Sequence, residues 1–152
     1  MKNYVYLAGP IEDCSKKQME EWRHEVADWL ELASIKVLDP TRRITFHENI
    51  LNETATMQEI GQSTHTINTC RRIFKQDLQD VANSSVVLAD IRRSSGRGTG
   101  TAFELMFAHM KNKIIICWAD KDDLIHPFYE SVYTEKHFDL ESTIEAVKYY
   151  YN

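Results

Sequence analysis

Three side chains have the type and setting that acid–base and nucleophilic chemistry requires. The first is Glu104, in SSGRGTGTAFELMFAHM (94–110), where Gly96, Gly98 and Gly100 precede a helical pattern. That stretch follows SSVVLAD (84–90), a β-branched run that predicts a buried strand. A strand, a glycine-rich turn and a helix together aim backbone N–H groups and a positive dipole end at an anion or a sugar. Glu104 is expected in the first turn of this helix, beside an apolar stripe of Phe103, Phe107 and Met110. The plainer use of such a glutamate is to complement the helix dipole. The loop matches neither GxGxxG nor GxxxxGK[ST], so by itself it specifies no ligand.

The second side chain is Asp77, in the helical pattern INTCRRIFKQDLQDVAN (67–83). Ile73, Phe74, Leu78 and Val81 form the predicted buried arc, and Asp77 falls inside it, whereas Asp80 is expected on the solvated side. An aspartate in an apolar stripe is costly unless paired or hydrogen-bonded, and its pKa tends to rise. That is the condition of a general acid; a buried structural partner for an arginine or a backbone amide fits the same position. The third is Tyr6, near the carboxyl end of a predicted first strand, where open α/β sheets bind ligands. A plain strand aromatic is the alternative. Two carboxylates in different environments suit displacement at an anomeric carbon, one attacking and the other managing the leaving group's proton. In retaining glycoside chemistry the two stand about 5–5.5 Å apart. Asp80 and Asp90 remain open as the acid, and Asp90 is also placed to bind sugar or orient Glu104.

The elements that must position these groups alternate along the chain. NYVYLA (3–8) predicts a first strand, with Tyr4 and Tyr6 on one face and Val5 and Leu7 on the other, ended by Gly9-Pro10. Residues 16–33 predict a helix whose Trp22, Val26, Trp29, Leu30 and Ala33 face the core, with Ser15 able to cap its start. A short strand (35–38) stops at Asp39-Pro40. Residues 41–69 lack a sustained period, apart from a helical turn or two near 53–60, and a segment of that length is usually functional or mobile. KIIICW (113–118) predicts another buried strand, 120–133 a loop broken at His126-Pro127, Phe138 the start of an edge strand, and 140–151 a closing helix. Alternating strands and helices define an α/β class: one flavodoxin-like or Rossmann-like domain over 1–152, with a parallel sheet of about five strands flanked by helices.

Composition narrows the partners. The chain has 152 residues, 43% hydrophobic and 27% charged, and a net charge of −5, which argues against a nucleic acid polymer as ligand. Arg42, Arg43, Arg92, Arg93 and Arg97 can each meet a phosphate or form surface salt bridges. Cys14, Cys70 and Cys117 show no zinc spacing, and their odd number fits a reduced interior. No secretory n-region and no apolar run near eighteen residues is present, so a cytoplasmic protein without membrane association is expected.

At this point the sequence resembles the nucleoside 2-deoxyribosyltransferase family, including relatives that hydrolyse deoxynucleoside monophosphates. YLAGP (6–10) resembles the family's opening strand and glycine turn, KQDLQDVANSSVVLAD (75–90) its helix acid and central strand, and GTAFELMFAHMKNKIII (100–116) its G-T-x-x-E-L-x-x-A segment. The resemblance implies Glu104 as nucleophile toward the deoxyribose anomeric carbon. It implies Asp77 as the residue that protonates or positions the base, and Tyr6 as the one that holds the nucleophile. Gly9, Asp90, Ser95, Gly100, Thr101 and Arg43 are the expected substrate contacts. It further implies a nucleoside or nucleotide substrate, no metal, no organic cofactor, and a homodimer or larger homo-oligomer. Many members carry aspartate or serine six residues before the glutamate, where Gly98 stands here, so either Ser94, Ser95 and Arg97 serve through a longer loop or sugar recognition differs.

Overall fold

Strands buried on both faces need uninterrupted apolar runs, and the chain supplies them at Tyr4–Ala8 (β1), Val86–Asp90 (β3) and Ile114–Trp118 (β4). In the computed structural model, which describes residues 3–11, 16–43, 64–93 and 98–152, these strands join Lys36–Leu38 (β2) and Glu135–His137 (β5). The result is an all-parallel sheet of order β2-β1-β3-β4-β5. Val5 pairs with Val86, and Val86 with Ile114, so side chains of like parity form continuous rows across the sheet.

Those rows divide the core in two. Tyr6, Ala8, Val87, Ala89, Ile115 and Cys117 face one side with Val81 of helix α2 (Thr64–Asn83) and Leu105 and Ala108 of α3 (Thr99–Met110). Val5, Leu7, Val86, Leu88 and Ile116 face the other, with Trp22, Val26 and Leu30 of α1 (Lys16–Leu32) and Ile144 and Val147 of a C-terminal helix. A short helix, Pro127–Glu130 (α4), precedes β5, and that C-terminal helix, Leu140–Tyr149 (α5), closes the chain. The doubly wound, flavodoxin-like α/β architecture expected from the alternating pattern is therefore present. Its strands all point their carboxyl ends to one edge.

Two of the crossovers into strands use the same device. Ser34 (φ 60°) and Asn112 (φ 52°) take the left-handed conformation just past α1 and α3. The amide of Ile35 then donates to the Leu30 carbonyl and that of Lys113 to the Ala108 carbonyl, the six-to-one bond of a Schellman motif. Each helix is thereby stopped where the next strand must begin.

Several expected placements differ. Trp29 is half exposed, because Trp22, Val26 and Leu30 already fill the stripe facing the sheet; it lies on the flank, with the Lys148 ammonium 5.3 Å from the Trp29 ring centroid. Phe74, Phe103 and Met110 are exposed rather than core, and Leu105, Ala108 and Thr101 form the buried side of α3. α2 begins at Thr64, earlier than the apolar period indicates, and α4 forms where a loop is expected, with Pro127 at its start and His126 Nδ1 accepting from the Phe128 amide. β5 ends at His137, one residue before Phe138. Ser15, the segment 44–63 and residues 94–97 lie outside the described residues, as does the side chain of Arg43, so the expected cap, the turns near 53–60 and the contacts of Ser94, Ser95 and Arg97 fall there.

Candidate active site

Parity on β1 decides which helices Tyr6 meets. It points to the side covered by α2 and α3 and is fully buried, and its hydroxyl donates to Glu104 Oε1 at 2.9 Å. Glu104 is the sixth residue of α3, past the first turn, so the expected dipole argument does not apply: the helix starts at Thr99 and takes Gly100 and Thr101 into its first turn. What places the carboxylate is the packing of Thr101, Leu105 and Ala108 against the sheet, which leaves Glu104 half-buried beside them. Burial pushes its pKa up to about 8, and the charge of Asp77 acts in the same direction, while the Tyr6 hydrogen bond and the Arg23 charge oppose. Tyr6 is itself raised well above the ordinary phenol value, first by burial and then by the charges of Glu104 and Asp77.

Asp77 is buried on α2, as the arc of Ile73 and Val81 requires, and it acts electrostatically on both Tyr6 and Glu104. Residues from β1, α2 and α3 therefore meet in one cluster holding two carboxylates and a phenol. Asp80, expected in solvent, is buried and ion-paired with Arg42, whose Nη1 also donates to the Asp39 carbonyl at 2.8 Å. The short 3-10 turn Pro40–Arg43 brings Arg42 to α2, a long-range pairing that no helical wheel can show.

Asp90 ends β3 fully buried, and Arg92 grips its carboxylate. Oδ1 accepts from the Arg92 amide at 3.1 Å and from Arg92 Nε at 3.0 Å, and Oδ2 accepts from Arg92 Nη2 at 3.0 Å. The same guanidinium lies 3.3 Å from the centroid of the Trp118 ring. The Arg93 amide donates to Asp120 Oδ2 at 2.8 Å, so two aspartates hold the chain as it enters the glycine-rich loop.

Gly9 leaves β1 at the same edge in a tight place. A Cβ there would stand 2.9 Å from Trp22 Cζ2, 3.1 Å from Arg23 Nη2 and 3.5 Å from Asp90 Cβ. Only a residue without a side chain lets these three meet. At Gly98 and Gly100 an added Cβ would meet none of the described residues within 4 Å; Gly100 is exposed and Thr101 buried.

Arg23, which carries no motif in the sequence, also stands at this edge. It is fully buried, donates from Nη1 to the Met19 carbonyl at 2.6 Å and from Nη2 to the Gly9 carbonyl at 3.0 Å, and sets Nε 3.6 Å from Asp39 Oδ1. The signal was available: Arg23 lies three residues before Val26 and seven before Leu30, inside the apolar stripe, the same kind of position that singled out Asp77.

Among the described residues no group of three or more His, Cys, Asp and Glu side chains could hold a metal ion, and no helix is long and apolar enough to cross a membrane. Cys70 and Cys117 are not joined in a disulfide.

The parallel sheet of this strand order defines a doubly wound α/β domain, and Tyr6, Asp77 and Glu104 come together on one side of it. The family model for nucleoside 2-deoxyribosyltransferase matches residues 5–148, and the chain belongs to that family. It is thus an enzyme of the N-glycosyl transferase or hydrolase kind. Among solved structures, a 2-deoxyribosyltransferase from Bacillus psychrosaccharolyticus superposes with a TM-score of 0.65 at 19% identity, covering 93% of this chain and 90% of that one. A CMP N-glycosidase from Clostridium botulinum gives 0.55 at 14% identity, covering 97% and 98%. A 2-desoxiribosyltransferase from Leishmania mexicana gives 0.52 at 20%, covering 78% of this chain and 65% of that one. At these identities the likeness establishes the shared fold. Comparison with the curated proteins by sequence finds no match.

Proposed function

We propose that the protein cleaves the N-glycosidic bond of a 2′-deoxynucleoside and transfers the deoxyribose to another nucleobase through a covalent ester on Glu104. The observation that carries this reading is the Tyr6 hydroxyl donating to the Glu104 carboxylate, with Asp77 acting on both. The ionised carboxylate attacks the anomeric carbon as the C–N bond breaks, and the bonding pair leaves on the base nitrogen. Asp77 supplies a proton to that base, and the deoxyribosyl ester remains on Glu104. An incoming base then attacks the same carbon, the carboxylate departs, and the proton released by that base returns to Asp77. Two inversions give net retention. Tyr6 stays protonated throughout and fixes the attacking oxygen. The substrate contacts we assign are Gly9, Asp90, Ser95, Gly100, Thr101 and Arg43.

A second reading is hydrolysis of a nucleoside 5′-monophosphate, the type of activity named for the Clostridium botulinum neighbour. Of the arginines that could serve a phosphate, Arg42 and Arg92 are engaged by Asp80 and Asp90, while Arg93 is exposed. We also infer a cytoplasmic homo-oligomer. Its support is an exposed apolar face on adjoining helices, where Phe74 and Phe103 stack edge to face at 6.1 Å beside Met106 and Met110.

The deciding experiment is chromatography after incubation with each deoxynucleoside and each deoxynucleoside monophosphate, with and without free adenine. A new deoxynucleoside formed only with adenine present supports transfer. Free base and sugar phosphate from monophosphates alone supports the hydrolase, and nucleotide binding without product supports a sensor. Glu104→Ala abolishes turnover on the proposed mechanism, with the circular dichroism spectrum retained; near-normal turnover overturns the nucleophile assignment.

A further inference from the structure

A guanidinium with no exposure is one of the costliest groups a core can hold, and it persists only where its charge and donors are used. Arg23 sits at the carboxyl edge of the sheet, on the helix that covers the face opposite α2 and α3. Two of its nitrogens hold carbonyls, one of them Gly9 at the exit of β1, three residues beyond Tyr6. The third, Nε, is buried and makes no hydrogen bond among the described residues; it stands 3.6 Å from Asp39 Oδ1. Asp39 is in turn fixed by the Thr41 amide at 2.8 Å and the Thr41 hydroxyl at 2.7 Å. The guanidinium carbon lies 4.6 Å from the centroid of the Trp22 ring, which closes it off from the other side.

We propose that Arg23 is a positioning residue of the active site: it pins the β1 exit through the Gly9 carbonyl and supplies a fixed buried positive charge to the Tyr6–Glu104 pair, with Asp39 setting how much of that charge is felt.

The described groups that act on Glu104 come from three elements. Tyr6 on β1 donates to it, Asp77 on α2 repels its charge, and Arg23 on α1 attracts it. Asp39 after β2 and Asp90 at the end of β3 act on Arg23, and Asp90 is paired with Arg92. Two acids and one phenol thus share a cluster in which, among the described residues, Arg23 is the cation that favours an ionised Glu104. Among the described residues, the Tyr6 hydrogen bond is what else favours the ionised form against the Asp77 charge. The use of that ionised form rests on the function proposed above; the electrostatic link does not.

Two substitutions move the cluster in opposite directions. Arg23→Met keeps the length and apolar stem of the side chain and removes the charge. Asp39→Asn keeps an acceptor for Thr41 and removes the charge that offsets Arg23. The readout is titration of the Glu104 carboxyl itself by carbon-13 NMR of glutamate-labelled protein without substrate, assigned by loss of the signal in Glu104→Gln. Arg23→Met is expected to raise the midpoint by about 1 pH unit and Asp39→Asn to lower it by a smaller amount. The acid limb of kcat/KM is expected to shift with it. A purely structural Arg23 would lower the folded fraction and leave the midpoint in place. If Arg23→Met does not fold, the sign of the Asp39→Asn shift decides alone. An unmoved midpoint in whichever variants fold overturns the proposal. Because no substrate enters the titration, its failure is separate from failure of the Glu104 nucleophile, which Glu104→Ala tests.

Discussion

Tyr6→Phe removes one oxygen from a buried site and changes almost nothing else, so its effect can be worked from the hydrogen bond alone. The hydroxyl donates at 2.9 Å to a carboxyl group whose pKa stands at about 8. A hydrogen bond to a charged partner is worth about 1.5–3 kcal/mol, and it is made more strongly to the carboxylate than to the neutral acid. At 1.36 kcal/mol per unit, its loss raises Glu104 by about 1–2 units. Near pH 7 roughly a tenth of Glu104 is ionised in the parent enzyme, and about 10–100-fold less in the variant. The loss in kcat/KM therefore depends on pH: about 10–100-fold near neutrality, shrinking as the pH rises past the shifted limb. The assay is kcat/KM across the pH range for one deoxynucleoside donor, with circular dichroism at each pH to show the fold intact. An equal loss at every pH, with the acid limb unmoved, would refute the reasoning and leave Tyr6 as a packing residue.

Three further outcomes follow from the same geometry. Glu104 is raised in the folded state, so the stability it contributes is complete below its ordinary value near 4.5 and is lost as pH climbs through about 8. Glu104→Gln should therefore match the parent in urea unfolding at acid pH and exceed it by on the order of 3–5 kcal/mol near pH 9; equal stability at both ends contradicts the raised value. Asp77→Asn should slow donors with poor leaving groups most, and a uniform slowing across bases would count against its role as proton donor. Gly9→Ala drives a methyl to 2.9 Å from Trp22 Cζ2, and a cost of about 1–3 kcal/mol should appear as a lowered Tm; an unchanged Tm means that α1 yields.

Much of this architecture is written in local patterns. Apolar runs such as VVLAD and IIICW admit little besides buried parallel strands, and Asp77 was marked by standing where an aliphatic side chain belongs. Placement of Glu104 was less legible, because glycines at 98 and 100 suggest a later helix start than Thr99, and that shifts the carboxylate out of the first turn. Asp80 could not be read at all from its own helix. Its burial depends on Arg42, which lies 38 positions earlier, and periodicity carries no information about such pairs. Trp29 and Phe74 erred for a related reason: period selects a half-cylinder of the helix, and only neighbouring elements decide how much of it is covered.

The Tyr6 hydroxyl and the Glu104 carboxylate that it holds lie 98 positions apart in the chain. Closing a loop of that length costs entropy that no nearby contact repays, so the pair forms only after β1 has found β3 and α3 has docked. On the ribosome, β1 leaves the tunnel long before its partner strand exists. A refolding chain should accordingly recover helical signal well before it recovers turnover, and the return of activity times the completion of the sheet rather than the formation of any one helix.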